Sequence, residues 1–331
     1  MYNAKITGVG HYVPEKVVTN FDLEKVMDTS DEWIKERTGI EQRRYVADGE
    51  KNVDLAEKAT LKALDMAGKS VEDIDFIIFA TLTPEYFFPG TGCLLQERLG
   101  IPPIGALDVR NQCSGFVYGL SIADQYVKTG MYKNVLVVGS EVQSSGINMT
   151  TEGRDIAVIF GDGAGAAIVE PTEEKDKGIL TTHLHAEGKH AKHLWCEDPG
   201  SAKNPRLTHE MVDSNSVWPY MNGKYVFKYA VTKFPAVINE ALEKTGISKD
   251  EVDLVIPHQA NQRITDAVRM RLELPEEKVY SNVVRFGNTT AASIPIAMSE
   301  AIEQGLIKDN SLVCLAAFGS GFTWASALIR F

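Results

Sequence analysis

One stretch of this chain is written twice. Ala63-Leu64, Gly68 and Glu72-Asp73-Ile74-Asp75 return at the same internal spacing as Ala241-Leu242, Gly246 and Asp250-Glu251-Val252-Asp253. Further on, Gly130-Met131-Tyr132-Lys133 is echoed by Gly305-Leu306-Ile307-Lys308. Two echoes in the same order point to a duplicated unit. Each copy reads as helix, glycine stop, short strand. Residues 54–67 carry apolar side chains at helical spacing and end at Gly68, and the apolar run 75–80 reads as a buried strand. In the second copy the helix covers 232–244, stops at Gly246, and precedes a strand at 252–256. A helix at 114–128 leads to a strand at 134–138, and a helix at 294–304 to strands at 312–317 and 325–329. Residues 1–10 alternate as a first strand. This rhythm predicts α/β layers, divided into halves at 1–170 and 171–331. Two such halves facing each other bring equivalent helix starts together at a pseudo-twofold axis. Cys113 precedes the helix of the first half, and Asn288 precedes its counterpart in the second.

Composition narrows the function. With 44% hydrophobic and 24% charged residues, the 331-residue chain can build a core without staples or metals. No apolar run approaches the roughly 20 residues of a membrane helix, and the first ten residues lack the charged head and apolar run of a signal peptide. A cytoplasmic location is expected. A net charge of −11 is the wrong sign for steering nucleic acid. The four cysteines, Cys93, Cys113, Cys196 and Cys314, form no CxxC pair, which argues against a disulfide framework. The question is which of them does chemistry.

Cys113 stands where a strand-like approach gives way to a long helix, in Asn111-Gln112-Cys113-Ser114-Gly115-Phe116. A thiol there feels the positive end of the helix dipole, which lowers its pKa; the alternative is a small buried apolar residue. His258, in Pro257-His258-Gln259-Ala260-Asn261, follows an apolar strand, the usual position of functional groups in α/β proteins. It serves equally well as a histidine satisfying buried backbone. Asn288, in Gly287-Asn288-Thr289-Thr290-Ala291-Ala292-Ser293, is either a helix cap or a side chain brought close to a ligand by its small neighbours. Phe318-Gly319-Ser320-Gly321-Phe322 follows a strand and can present backbone N–H groups to an oxyanion. Gly161-Asp162-Gly163-Ala164-Gly165 is not a dinucleotide fingerprint, because 166–170 reads as a strand where that motif must open a helix.

Taken together and in this order, Cys-Ser-Gly-Phe, His-Gln-Ala-Asn and Gly-Asn-Thr-Thr-Ala-Ala-Ser resemble the three active-site motifs of the β-ketoacyl-ACP synthase III family, one of the thiolase-like condensing enzymes. The resemblance spans nearly the whole chain. It includes Ser30-Asp31-Glu32-Trp33-Ile34 with Arg37-Thr38-Gly39-Ile40, the 160–166 stretch, and the ending Phe318–Trp324. It implies a thiolase-like fold: two pseudo-symmetric α/β halves in a layered αβαβα core. It further implies that Cys113 takes an acyl group from acyl-CoA as a thioester. Malonyl-acyl carrier protein then loses CO2 while His258 and Asn288 donate hydrogen bonds to the enolate. The backbone N–H groups of Cys113 and Ser320 would hold the second oxyanion; the family often has glycine at Ser320. For CoA the resemblance points to Trp33 and Arg154 around adenine, Arg37 and Arg263 near phosphates, and Gly223, Phe227 and Asn261 along the pantetheine tunnel. Phe87 and Phe88 correspond to the acyl pocket, Phe88 reaching across a homodimer. Lys228, Arg263, Arg269 and Arg271 would form a basic rim for the carrier protein, unless they make only a charged helix face. No cofactor is expected beyond the CoA thioester itself.

Five of the seven histidines fall between His183 and His209. His190, His193 and Cys196 have a helical spacing compatible with zinc, but no metal is assigned, since zinc sites show clearer ligand pairs. The 189–220 stretch, with Pro199, Pro205 and Pro219, reads as a long loop near the tunnel mouth that adjusts acyl or carrier recognition. Three functions follow from these residues: the initiating condensation of fatty acid synthesis, a specialised ketosynthase or acyltransferase of secondary metabolism, or a non-catalytic acyl-CoA or carrier-binding module. The intact Cys, His and Asn weigh against the last.

Overall fold

The computed structural model describes residues 2–331, so Met1 of the expected first strand lies outside the described residues. The first sheet uses β1 (Asn3–Tyr12), β2 (Phe76–Ala80), β3 (Gly105–Val109), β4 (Val135–Glu141) and β5 (Gly163–Thr172), in spatial order β1-β5-β4-β2-β3. The second uses β6 (Gly178–Ala186), β7 (Leu254–Pro257), β8 (Leu312–Gly319) and β9 (Thr323–Arg330), in order β6-β9-β8-β7. The second sheet therefore repeats the first strand for strand, without an equivalent of the edge strand β3. In both, the strand after the repeated glycine runs parallel to its inner neighbour, and the remaining ladders toward β1 and β6 are antiparallel.

Five helices complete the layers: α1 (Asn52–Ala67), α2 (Gly115–Lys128), α3 (Gly223–Thr245), α4 (Gln262–Leu272) and α5 (Ser293–Glu303). Strand alternation decides what each faces. On β2, Ile78 and Ala80 join α2 and α5 in a central core that also receives Val313, Leu315 and Ala317 of β8. Ile77 and Phe79 point the other way, against Leu55, Ala59 and Ala63 of α1. On β8, Leu312, Cys314 and Ala316 face Phe234 and Val237 of α3. The order is helix, sheet, helix pair, sheet, helix, as the resemblance implies. Cys314 is thereby a packing residue of the outer core. No helix among the described residues is long and apolar enough to cross a membrane.

The duplication is visible atom by atom. Gly68 and Gly246 end α1 and α3 with φ of 65° and 70°, a left-handed conformation that glycine adopts without Cβ strain. Ser70 with Asp73, and Ser248 with Glu251, form capping boxes in the turns that follow. The Asp75 carboxylate then accepts from the Lys133 and Asn134 N–H groups at 2.8 and 3.1 Å, and Asp253 from Leu312 at 2.7 Å. The one large boundary error of the sequence reading is α3, which begins nine residues before 232, at Gly223. Pro235 lies inside this helix and breaks the periodic reading. The carbonyl of Val231, which would accept from residue 235, instead receives Arg271 Nη1 at 2.9 Å.

Candidate active site

Cys113 is positioned by a single 3₁₀ turn, Gln112–Ser114, between β3 and α2. Its counterpart, Thr290–Ala292, stands before α5, and the two turns touch where the layers meet. Asn288 lies two residues ahead of that second turn. Its backbone is held on both sides: its N–H donates to Ile159 at 2.9 Å and its carbonyl accepts from Gly161 at 3.1 Å. The carboxamide oxygen accepts the Thr290 N–H at 2.9 Å. That leaves the NH₂ end of the Asn288 amide as the one that can serve a ligand.

His258 follows β7, its N–H bonded to the Ala316 carbonyl at 2.7 Å. It is buried, with Nδ1 2.6 Å from Ser293 Oγ, and Nε2 has no partner among the described residues. Burial drives its pKa down to about 3, so the ring is neutral at physiological pH. Cys113, His258, Asn288 and Gly319 all line one cavity of about 430 Å³, walled by apolar side chains such as Phe160, Phe234 and Phe318. A Cβ on Gly319 would lie 2.6 Å from Cys113 Cβ and 2.9 Å from Sγ, so glycine is required for the thiol to sit against that backbone.

The lowered thiol pKa expected from the helix start is not what the site produces. Burial pushes Cys113 up to about 12, and the charge of Glu141 pushes in the same direction. The N–H groups of Cys113 itself and of Ser320 pull the other way, the same pair the resemblance implies for an oxyanion. Burial outweighs both N–H groups here. Glu141 is the functional neighbour that sequence reasoning missed. It ends β4 fully buried, and it accepts hydrogen bonds from Thr81, from Leu82 N–H and from Thr83. Burial lifts its pKa to about 7. A carboxylate closing an otherwise apolar strand was the available signal, since lone acids are rarely fully buried.

Five of the proposed CoA residues, Arg37, Gly223, Phe227, Asn261 and Arg263, line the cavity. Trp33 and Arg154 do not; they stand beside its mouth, with the Arg37 and Arg154 guanidinium carbons 4.4 and 5.2 Å from the Trp33 ring centroid. Asn261 also caps α4 and holds the Arg37 carbonyl at 3.0 Å. Lys224, which the sequence reading passed over, joins the lining. Phe87 and Phe88 lie outside this chain's cavity, 61% and 77% exposed, with Arg206 of the long loop 4.6 Å from the Phe87 ring centroid. Lys228 and Arg263 are exposed; Arg269 donates to the Leu274 carbonyl at 3.4 Å, and Arg271 fills the site that Pro235 leaves in α3.

His190, His193 and Cys196 do not converge. His190 binds the Tyr225 hydroxyl at 2.9 Å, and the Cys196 thiol donates to the Asp198 and Val217 carbonyls. No cluster of metal-ligating residues occurs among the described residues. The long excursion is closed at its base by a two-residue ladder, Leu194–Trp195 with Tyr220–Met221, and Leu194 and Met221 belong to the cavity wall. The Ser320 hydroxyl donates to the Leu194 carbonyl, tying that base to the turn behind Cys113.

Comparison with known proteins agrees with this geometry. Residues 107–188 match the family 3-oxoacyl-[acyl-carrier-protein (ACP)] synthase III, and residues 242–331 match its C-terminal counterpart. The curated β-ketoacyl-[acyl-carrier-protein] synthase III of Caldanaerobacter subterraneus subsp. tengcongensis is 47% identical over 327 residues, 99% of this chain and 97% of that protein. The crystal structure of 3-oxoacyl-[acyl-carrier-protein] synthase III from Aquifex aeolicus superposes with a TM-score of 0.91 at 44% identity, covering 99% of this chain and all of that one. The priming β-ketosynthase of the R1128 polyketide pathway superposes with a TM-score of 0.89 at 31% identity, covering 99% of this chain and 96% of that one.

Proposed function

The chain belongs to the 3-oxoacyl-[acyl-carrier-protein] synthase III family, and from that premise we propose how its cavity carries out the condensation. The enzyme is an acyltransferase of fatty acid biosynthesis. An acyl-CoA enters along Arg37, Asn261 and Phe227, with Trp33 and Arg154 receiving the nucleotide end. Cys113 attacks the thioester carbonyl; the bond to Cys113 Sγ forms, the bond to the CoA sulfur breaks, and the thiol proton leaves with CoA. The N–H groups of Cys113 and Ser320 hold the oxyanion. A malonyl thioester on the carrier protein, met by Lys228 and Arg263 at the rim, then loses CO2. His258 Nε2–H and the Asn288 amide donate to the enolate oxygen. The enolate carbon attacks the Cys113 thioester carbonyl; a carbon–carbon bond forms, the bond to Cys113 Sγ breaks, the β-ketoacyl product leaves on the carrier, and a proton from solvent restores the Cys113 thiol.

The observation that supports this reading best is the state of the two donors. His258 is neutral, and its Nε2 is buried without a partner among the described residues, while the Asn288 carboxamide oxygen is already used by Thr290. Two dipolar donors without net charge suit an enolate, whose charge develops only as CO2 leaves; in a dry site such donors contribute several kcal/mol. No cofactor takes part in the scheme. We further propose that the enzyme works in the cytoplasm as a homodimer, Phe88 of each protomer closing the acyl pocket of the other. The exposed Phe87 and Phe88 and the four unpaired cysteines favour this.

The test uses purified enzyme, malonyl-acyl carrier protein and a panel of acyl-CoAs, with protein and products read by mass spectrometry. An acyl mass on wild-type Cys113 that Cys113→Ala lacks, followed by a β-ketoacyl product on the carrier, is the expected result. Absence of any acyl adduct across the panel overturns the assignment of Cys113.

A further inference from the structure

The Ser293 hydroxyl is buried at the start of α5 and touches two groups of the segment after β7. It stands 2.6 Å from His258 Nδ1, and it accepts the Gln259 N–H at 3.4 Å. That segment has little freedom. The Gln259 side chain donates to the Pro257 carbonyl at 2.6 Å and accepts the Asn282 N–H at 2.8 Å, and the His258 N–H is fixed on Ala316. A neutral imidazole carries one proton, on either Nδ1 or Nε2, and the partner of one nitrogen decides the other.

We propose that Ser293 is a positioning residue that holds His258 in the tautomer with its proton on Nε2, by donating its own hydroxyl proton to Nδ1. This rests on the reading of His258 as an enolate donor. The competing tautomer puts the proton on Nδ1. The Ser293 hydroxyl hydrogen then has no acceptor among its contacts, and the Nε2 lone pair faces the cavity, where it repels an enolate oxygen. In the proposed arrangement Ser293 accepts from Gln259 and donates to Nδ1, and the ring nitrogen left unpartnered is the one that carries a proton. The position of His258 just outside the start of α5 also disfavours a cationic ring. Ser293 never meets substrate; it acts through the proton position on His258.

Two measurements test this. In wild-type enzyme, ¹⁵N-histidine spectra should show His258 with an unprotonated Nδ1 and a protonated Nε2, assigned by loss of the signals in His258→Ala. Ser293→Ala should show mixed tautomers. Its malonyl-carrier decarboxylation should fall by at least about tenfold, yet by less than His258→Ala, since loss of a whole oxyanion donor costs ~10²- to 10³-fold. Ser293→Thr, which keeps the hydroxyl, should recover most of the rate. Acyl mass on Cys113 serves as the check that each variant retains its site. A protonated Nδ1 in the wild type overturns the proposal, whatever the variants do. Wild-type decarboxylation in Ser293→Ala alongside a crippled His258→Ala also overturns it. If His258→Ala itself decarboxylates normally, the donor reading fails first and the Ser293 proposal with it.

Discussion

The turn that carries Cys113 and the turn behind Asn288 are copies of one piece of backbone put to opposite uses. Each begins on a residue in the left-handed region, Gln112 at φ 45° and Thr290 at φ 50°, makes one 3₁₀ turn and opens a buried helix. In the first copy the side chain after the left-handed residue is Cys113; in the second it is Ala291, and Asn288, the residue proposed to act there, lies three places upstream of it. The buried carboxylate of Glu141 serves both: its charge disfavours the ionised form of Cys113 in the first turn, and it accepts the Ala291 N–H of the second at 3.4 Å. The second offers uncharged donors. Duplication supplied two equivalent helix starts at one cavity, and in the proposed mechanism small changes in which residue occupies them separate acyl storage from enolate stabilisation.

The largest expected effect comes from removing one function at a time. Cys113→Ala should reduce acylation and condensation to background, while malonyl decarboxylation persists. Asn288→Ala should do the reverse, slowing decarboxylation by ~10²- to 10³-fold with the Cys113 adduct still formed. Intact-mass acylation and CO2 release, measured on both variants, check this. If either variant loses both half-reactions equally while folded, the division of labour between the turns is wrong.

Gly319→Ala comes next, because it distorts only the Cys113 side. The new Cβ would stand 2.6 Å from Cys113 Cβ, so the turn or the thiol must shift. Overpacking of this kind costs about 1–3 kcal/mol of stability, and acylation should fall by more than tenfold, with decarboxylation less affected. Thermal unfolding and single-turnover acylation measure the two.

Much of this contrast is legible in the sequence. The repeat located both helix–glycine–strand units, position at strand ends and helix starts made Cys113, His258 and Asn288 candidates, and the family resemblance chose the functional reading of each. What was not legible depends on contacts distant in sequence. Pro235 hid the first turns of α3, because its missing hydrogen bond is compensated by Arg271 on another helix. Glu141 ends a strand, and nothing local indicates that its carboxylate faces Thr83 and influences Cys113. Ser293 ends the Gly-Asn-Thr-Thr-Ala-Ala-Ser motif, yet its partner is a histidine 35 residues earlier. Phe87 and Phe88 stand exposed outside the cavity, and the role proposed for them needs a second chain.

A pH measurement sharpens the donor side. His258 has a folded pKa depressed to about 3, against about 6.5 when unfolded. The unfolded chain therefore binds the extra proton first as pH falls. The stability that neutral His258 contributes is present above about 6.5 and is lost progressively toward 3. Chemical denaturation of wild type and His258→Gln should accordingly show a difference in stability that changes between pH 6.5 and 4. A constant difference over that interval would mean the ring is not held neutral by burial.

The smallest expected effect concerns Glu141 and the thiol. Its charge raises Cys113, and its own pKa near 7 means that this charge grows in as pH passes neutrality. Glu141→Gln keeps an acceptor for Thr83 but removes the charge. Alkylation of Cys113 by iodoacetamide should therefore run a few-fold faster in the variant above pH 7, with the advantage shrinking below pH 6, where the wild-type carboxyl is already protonated. An advantage independent of pH would indicate a changed shape of the turn rather than a removed charge. The comparison between the two turns would then rest on geometry alone, without the electrostatic asymmetry that now distinguishes them.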